Sequence, residues 1–70
     1  MKVNYDSTVD AAFITLSNQK PSGATEIDED IIVHVTEQNS IVAIEILGAS
    51  KRFSLDELFK FEIENYKVAV

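Results

Sequence analysis

Two apolar runs separated by a short polar gap constrain this chain more than any other feature. Ile31-Ile32-Val33-His34-Val35-Thr36 and Ile41-Val42-Ala43-Ile44-Glu45-Ile46-Leu47 are rich in β-branched residues, which pack well on a pleated surface and lose side-chain freedom in a helix. Between them, Glu37-Gln38-Asn39-Ser40 has the length and residue types of a hairpin loop, so the runs are expected to pair antiparallel. In the later run Val42, Ile44 and Ile46 share one face, while Ile41, Ala43, Glu45 and Leu47 share the other. Both faces therefore carry apolar side chains: one is expected to meet the domain core and the other a partner.

The flanking segments add strands. Lys2-Val3-Asn4-Tyr5 alternates polar and apolar, and Asp6-Ser7-Thr8 supplies turn formers after it. From Ala11 to Ser17, Ala12, Ile14 and Leu16 fall on one face and Ala11, Phe13, Thr15 and Ser17 on the other. The polar cluster Asn18-Gln19-Lys20-Pro21-Ser22-Gly23 is long enough to reverse the chain, and the strands on either side are expected to meet across it. Ala24-Thr25-Glu26-Ile27 reads as a short edge strand before the acidic turn Asp28-Glu29-Asp30.

Gly48-Ala49-Ser50 breaks the last run, and Ser54-Leu55-Asp56-Glu57 matches a capping box, so a short helix is expected to begin at Leu55. Phe53, just outside the cap, is placed to contact Leu58 as a hydrophobic staple. Leu55, Leu58 and Phe59 then share one side, suited to docking on the sheet. Residues 60–70 fit either a continued helix or a strand. The fold class is thus α+β: a small antiparallel sheet of four to five strands with a short C-terminal helix packed on it. It forms one domain over 1–70, with a β-rich body to residue 52 and a helix and tail over 53–70.

Seventy residues leave room for one core, and a chain of this size removes only about 60% of its unfolded surface from water. With no cysteine, neither a disulfide nor a thiolate metal site can supplement that core. Association is the remaining stabiliser, so a homo-oligomer is expected, a dimer first of all. Six Lys and Arg against twelve Asp and Glu give a net charge of −6. That charge disfavours nucleic acid and anionic lipid and favours a basic partner protein. No apolar stretch approaches the ~20 residues needed to cross a bilayer, and no signal peptide is evident. The chain is expected to be cytoplasmic.

Chemistry-bearing residues are sparse. His34 is the only histidine, without another His or Cys to complete a transition-metal set and without a nucleophile signature nearby, so a structural or surface role is expected. Asp28-Glu29-Asp30 lacks the spacing and glycine of a calcium loop and reads as a solvated turn. Asp6 and Asp10 bracket a turn, and bonds to local backbone amides explain them economically. Lys51-Arg52 could hold a phosphate or a partner's carboxylate. Phe59, Phe61 and Tyr66 lie in the densest aromatic group, interleaved with acidic residues, and with Lys51 and Arg52 form the expected partner-binding set. No catalytic residue, metal or cofactor is expected, and the chain is read as a non-enzymatic protein-binding module. The rival reading is a homo-oligomer with a structural or small-ligand role and no second protein partner.

The opening Met1-Lys2-Val3-Asn4-Tyr5-Asp6, then Asp10-Ala11-Ala12-Phe13-Ile14-Thr15-Leu16-Ser17, and later Ile41 through Lys51, resemble the small prokaryotic family known as domain of unknown function 2283. The resemblance covers roughly the first fifty positions and rests on structural residues. Members are often encoded beside small toxin-like proteins, which implies an antitoxin-like or partner-binding role. The chain departs from the family pattern at Thr36-Glu37-Gln38-Asn39-Ser40, which lacks an acidic, glycine-containing turn, and after Arg52.

Overall fold

The computed structural model describes residues 1–60 and 62. Five strands are present: β1 (Lys2–Asp6), β2 (Ala11–Thr15), β3 (Gly23–Asp28), β4 (Ile31–Val35) and β5 (Ile41–Leu47). Two single-turn helices follow, α1 (Ala49–Arg52) and α2 (Leu55–Leu58). The strands form one antiparallel sheet in the order β1-β2-β5-β4-β3. The expected small α+β architecture is present, with all five strands at the expected places and α2 starting at Leu55. The expected alternatives for residues 60–70, and Phe61 and Tyr66 with them, fall almost entirely outside the described residues.

One expectation fails. β2 and β3 do not meet across Asn18–Gly23; they lie on opposite sides of the β4–β5 pair. The reason is the last strand. β5 is apolar on both faces and takes the middle position, paired to β2 on one side and β4 on the other. β3, with Thr25, Glu26 and Asp28, is exposed throughout and sits at the edge, where a polar strand costs least and discourages further pairing. The connection crosses the sheet end, anchored where Leu16 and Ser17 both donate to the Val42 carbonyl and Ser22 donates to that of Val35.

The three tight loops share a device. Asp10, Asp30 and Asn39 have φ of 52°, 63° and 65°, the left-handed region that Asp and Asn tolerate better than other side chains. Each stands just before the strand that follows, or one residue short of it. In the β4–β5 loop Thr36 closes the ring, its N–H donating to the Ser40 carbonyl and its hydroxyl accepting from the Ser40 N–H.

Gly48, at φ 62°, turns the chain off β5. The Gly48–Ser50 segment does not merely interrupt the run: it opens α1, because the Ala49 N–H donates to the Asp10 carbonyl and pulls the turn onto the sheet. Ala49 is fully buried against Ala12 and Ile46, with Tyr5, Ile14, Ile31, Ile44 and Leu58 around them. Ser54 caps α2, accepting from the Glu57 N–H at 3.2 Å, and Leu58 reaches the core while Leu55 is half-buried. Phe53 remains exposed.

Candidate functional site

Strand register assigns every side chain to one of two faces, because directly opposed residues point the same way. Tyr5, Ala12, Ile46 and Ile31 align across the sheet, as do Val3, Ile14, Ile44 and Val33. These define the face that receives α1 and α2. The opposite face has three rows: Lys2, Thr15, Ala43, His34 and Ala24; then Asn4, Phe13, Glu45, Ile32 and Glu26; then Asp6, Ala11 and Leu47. Among the described residues no helix lies on this second face.

At its centre three side chains from three adjacent strands converge. His34 Nε2 lies 3.1 Å from Glu45 Oε1, the ring nitrogen donating to the carboxylate. The His34 ring is 5.1 Å from that of Phe13, tilted at 55°. The pair is partly exposed, 22% for His34 and 28% for Glu45, whereas Ala43 beside them is 1% exposed. Phe13, Ile32 and Leu47 are half-buried on the same surface. A histidine and a carboxylate so placed can share a proton and offer one polar handle within an apolar patch; Thr15 is the nearest hydroxyl by register.

The helix-bearing side carries a second feature. Met1, Val3, Ile14, Leu58, Phe59 and Lys60 line a depression of about 340 Å³ between β1 and α2. Phe59 is 56% exposed and meets Tyr5 edge-on, with ring centroids 5.9 Å apart. The other described members of the expected partner-binding set, Lys51 and Arg52, do not line the depression. Lys51 and Arg52 sit on α1, and Arg52 donates to the Glu29 carbonyl at 2.6 Å, tying α1 to the β3–β4 turn.

Asp6 and Asp10 do different work. Asp6 makes the expected local turn, accepting from the hydroxyl and N–H of Thr8, and these bonds hold its carboxyl below the usual carboxylate range. Asp10 instead reaches across the fold: it accepts from the Tyr5 hydroxyl at 2.7 Å and from Ser50 through both its hydroxyl and its N–H. The Tyr5 bond is the main reason that the Asp10 carboxyl is lowered, with Ser50 adding to it, and the same bond raises the Tyr5 phenol.

The sequence reading of His34, a structural or surface role, did not foresee its company. The missing signal is non-local: Phe13 joins only because β2 pairs with β5. Among the described residues no group of three or more His, Cys, Asp or Glu is arranged to hold a metal ion, and no helix is long and apolar enough to cross a membrane.

No solved structure matches the chain significantly. A putative hypoxanthine phosphoribosyltransferase of Methanosarcina mazei is 43% identical over 54 residues, 77% of this chain and 43% of that protein. An uncharacterised protein of Methanocaldococcus jannaschii is 34% identical over 68 residues, 89% of this chain and 58% of that protein. The chain spans about half the length of the curated relatives it matches. The matched stretch of the family model, residues 2–50, runs from the start of β1 into α1 and so takes in the whole sheet; the chain belongs to the family of proteins of unknown function designated DUF2283.

Proposed function

We propose that this chain is a non-enzymatic protein-binding module that works first by associating with itself. One observation carries the reading: β2, β4 and β5 present apolar side chains on both faces of the sheet, while α1 and α2 dock on only one. Antiparallel sheets with one solvated face ordinarily alternate apolar and polar residues. Here Phe13, Ile32 and Leu47 point away from the core. The core is also thin, since the buried apolar residues among those described are Ala12, Val33, Val42, Ala43, Ile46 and Ala49, half of them alanine. Small cores of this kind gain most from sharing surface.

Sedimentation velocity over a wide concentration range tests this. Reversible association is expected, and a chain that stays monomeric at millimolar concentration contradicts it. The antitoxin-like role is the finer form of the proposal, and the net charge of −6 makes a basic protein the fitting second partner. Co-expression with a small basic protein from an adjacent reading frame should relieve that protein's toxicity; no relief removes the antitoxin form and leaves self-association standing. The activity named for the Methanosarcina mazei relative belongs to that protein, of which the match spans 43%.

A further inference from the structure

Beyond Leu47 the chain leaves the ladders that hold the strands. Leu47 is still fixed, its N–H donating to the Asp30 carbonyl at 2.9 Å, and Gly48 follows at φ 62°. From there the hold is slight. Ala49 is the one buried residue of α1, and α2 has none. The hydrogen bonds from α1 to the sheet end on two residues: Asp10, which accepts from Ala49 and Ser50, and Glu29, whose carbonyl accepts from Arg52. Among the described residues no hydrogen bond joins α2 to the sheet; Leu58 packs on the core and Phe59 on Tyr5. We propose that α1 and α2 form one strap, hinged at Gly48 and latched by Asp10, that leaves the sheet while the five strands stay paired and so switches the Ala12–Ile46 row between covered and uncovered.

Tyr5 makes the two helices one unit. Its hydroxyl donates to Asp10 Oδ1, the oxygen that also accepts from the Ser50 N–H, so the carboxylate that holds α1 also holds this ring. The other contact of the ring is with α2, where Phe59 meets it edge-on at 5.9 Å. Loss of Phe59 frees the ring to turn and loosens the carboxylate that Ser50 needs; loss of Ser50 acts in the reverse direction. Two extended residues, Phe53 and Ser54, join the helices, a tether too short for one to travel far without the other.

The strap opens more easily than the sheet. The Asp10–Ser50 and Arg52–Glu29 bonds are exposed, so water replaces each partner on release and the net loss is small. Opening takes Ala49 and Leu58 off Ala12 and Ile46, which uncovers little apolar surface, whereas separating β5 breaks its ladders to both β2 and β4. Glycine adopts left- and right-handed backbone about equally, and a Cβ on Gly48 would meet only the Lys51 side chain, at 3.9 Å, so the hinge has room to turn.

Amide hydrogen exchange of the full chain, of Ser50→Ala and of Phe59→Ala, read by NMR at one low protein concentration with increasing small additions of urea, tests this. In the unmodified chain the amides of Ala49, Ser50 and Phe53 on α1 and of Glu57 and Leu58 on α2 should share one protection level, below that of β5 by about tenfold or more. Urea should scarcely change it while it speeds β5 exchange, because the local opening exposes less surface than unfolding does. Ser50→Ala should speed exchange in both helices by about tenfold, and Phe59→Ala should speed both by several-fold, although Ser50 is not on α2 nor Phe59 on α1. Trypsin cleavage after Lys51 and Arg52 under native conditions should rise by the same factors, since cleavage follows the open population. Helix amides that match β5 in protection and in urea response overturn the strap, as does an absence of protection in both helices, which leaves no closed form to latch. A response to Ser50→Ala confined to α1, or to Phe59→Ala confined to α2, overturns the single unit.

Discussion

Ser50 is held by Asp10 from forty positions away, its hydroxyl donating to Oδ2 at 2.7 Å and its N–H to Oδ1 at 3.0 Å. With the Tyr5 hydroxyl also on Oδ1 and the Ala49 N–H on the Asp10 carbonyl, one residue in a left-handed turn fastens β1, β2 and α1 together. α1 is a single turn and could not hold itself on the sheet, since an isolated turn fixes several dihedrals for very few hydrogen bonds.

Asp10 should therefore govern the acid limit of stability. Its folded carboxyl and that of Asp6 are both lowered, so their contribution is present above the ordinary carboxylate value and is lost as pH falls through the folded values. Thermal melts should fall steadily as the pH is taken below about 4. Asp10→Asn should lower the melting temperature by several degrees at neutral pH and flatten that acid limb, with Asp6→Asn doing less.

The alkaline limit belongs to Tyr5. Its phenol is raised by Asp10, so its contribution is present below 10.0, the ordinary phenol value, and is lost as pH rises from there through the folded value. Melts of Tyr5→Phe should show less decline above that pH than melts of the unmodified chain, although the variant begins from lower stability.

Gly48 tests backbone conformation apart from packing. A Cβ there would meet nothing closer than the Lys51 side chain at 3.9 Å, so the cost of Gly48→Ala is conformational. About 1 kcal/mol is expected from urea unfolding. Gly48→Asn should lose less, because asparagine tolerates this region.

Ile46 is the largest of the buried residues in the Ala12–Ile46–Ala49 cluster. Ile46→Ala should cost about 2–5 kcal/mol in urea unfolding. For a chain whose whole stability is on the order of 0.05–0.15 kcal/mol per residue, that is much or all of it. Ala12→Leu should cost about 1–3 kcal/mol by overpacking between Ile46 and Ala49.

Local chemistry made much of this fold legible. The β-branched runs marked β4 and β5, the shortness of Ala24–Ile27 marked an edge, and Ser54 announced α2, because each signal resides in the residues that form the element. What escaped was non-local. Nothing around Asn18–Gly23 says that the chain will pass over β5 and β4 before pairing; that choice is made by β5, which is read only later along the chain. Asp10 looked like an ordinary turn residue because Ser50 is remote in sequence. Glu45 stands beside His34 only through the β4–β5 register, and Phe13 joins them only through the β2–β5 pairing.

Self-association is proposed to use the face that bears Phe13, His34 and Glu45. Backbone and methyl NMR spectra of the full chain recorded across a dilution series address it directly. Shifts that move with concentration should concentrate on Phe13, Ile32, Ala43 and Leu47 and leave Ile46 and Ala49 still. Spectra that do not change with concentration, or changes confined to Val3, Leu58 and Phe59 on the helix-bearing side, would contradict the claim.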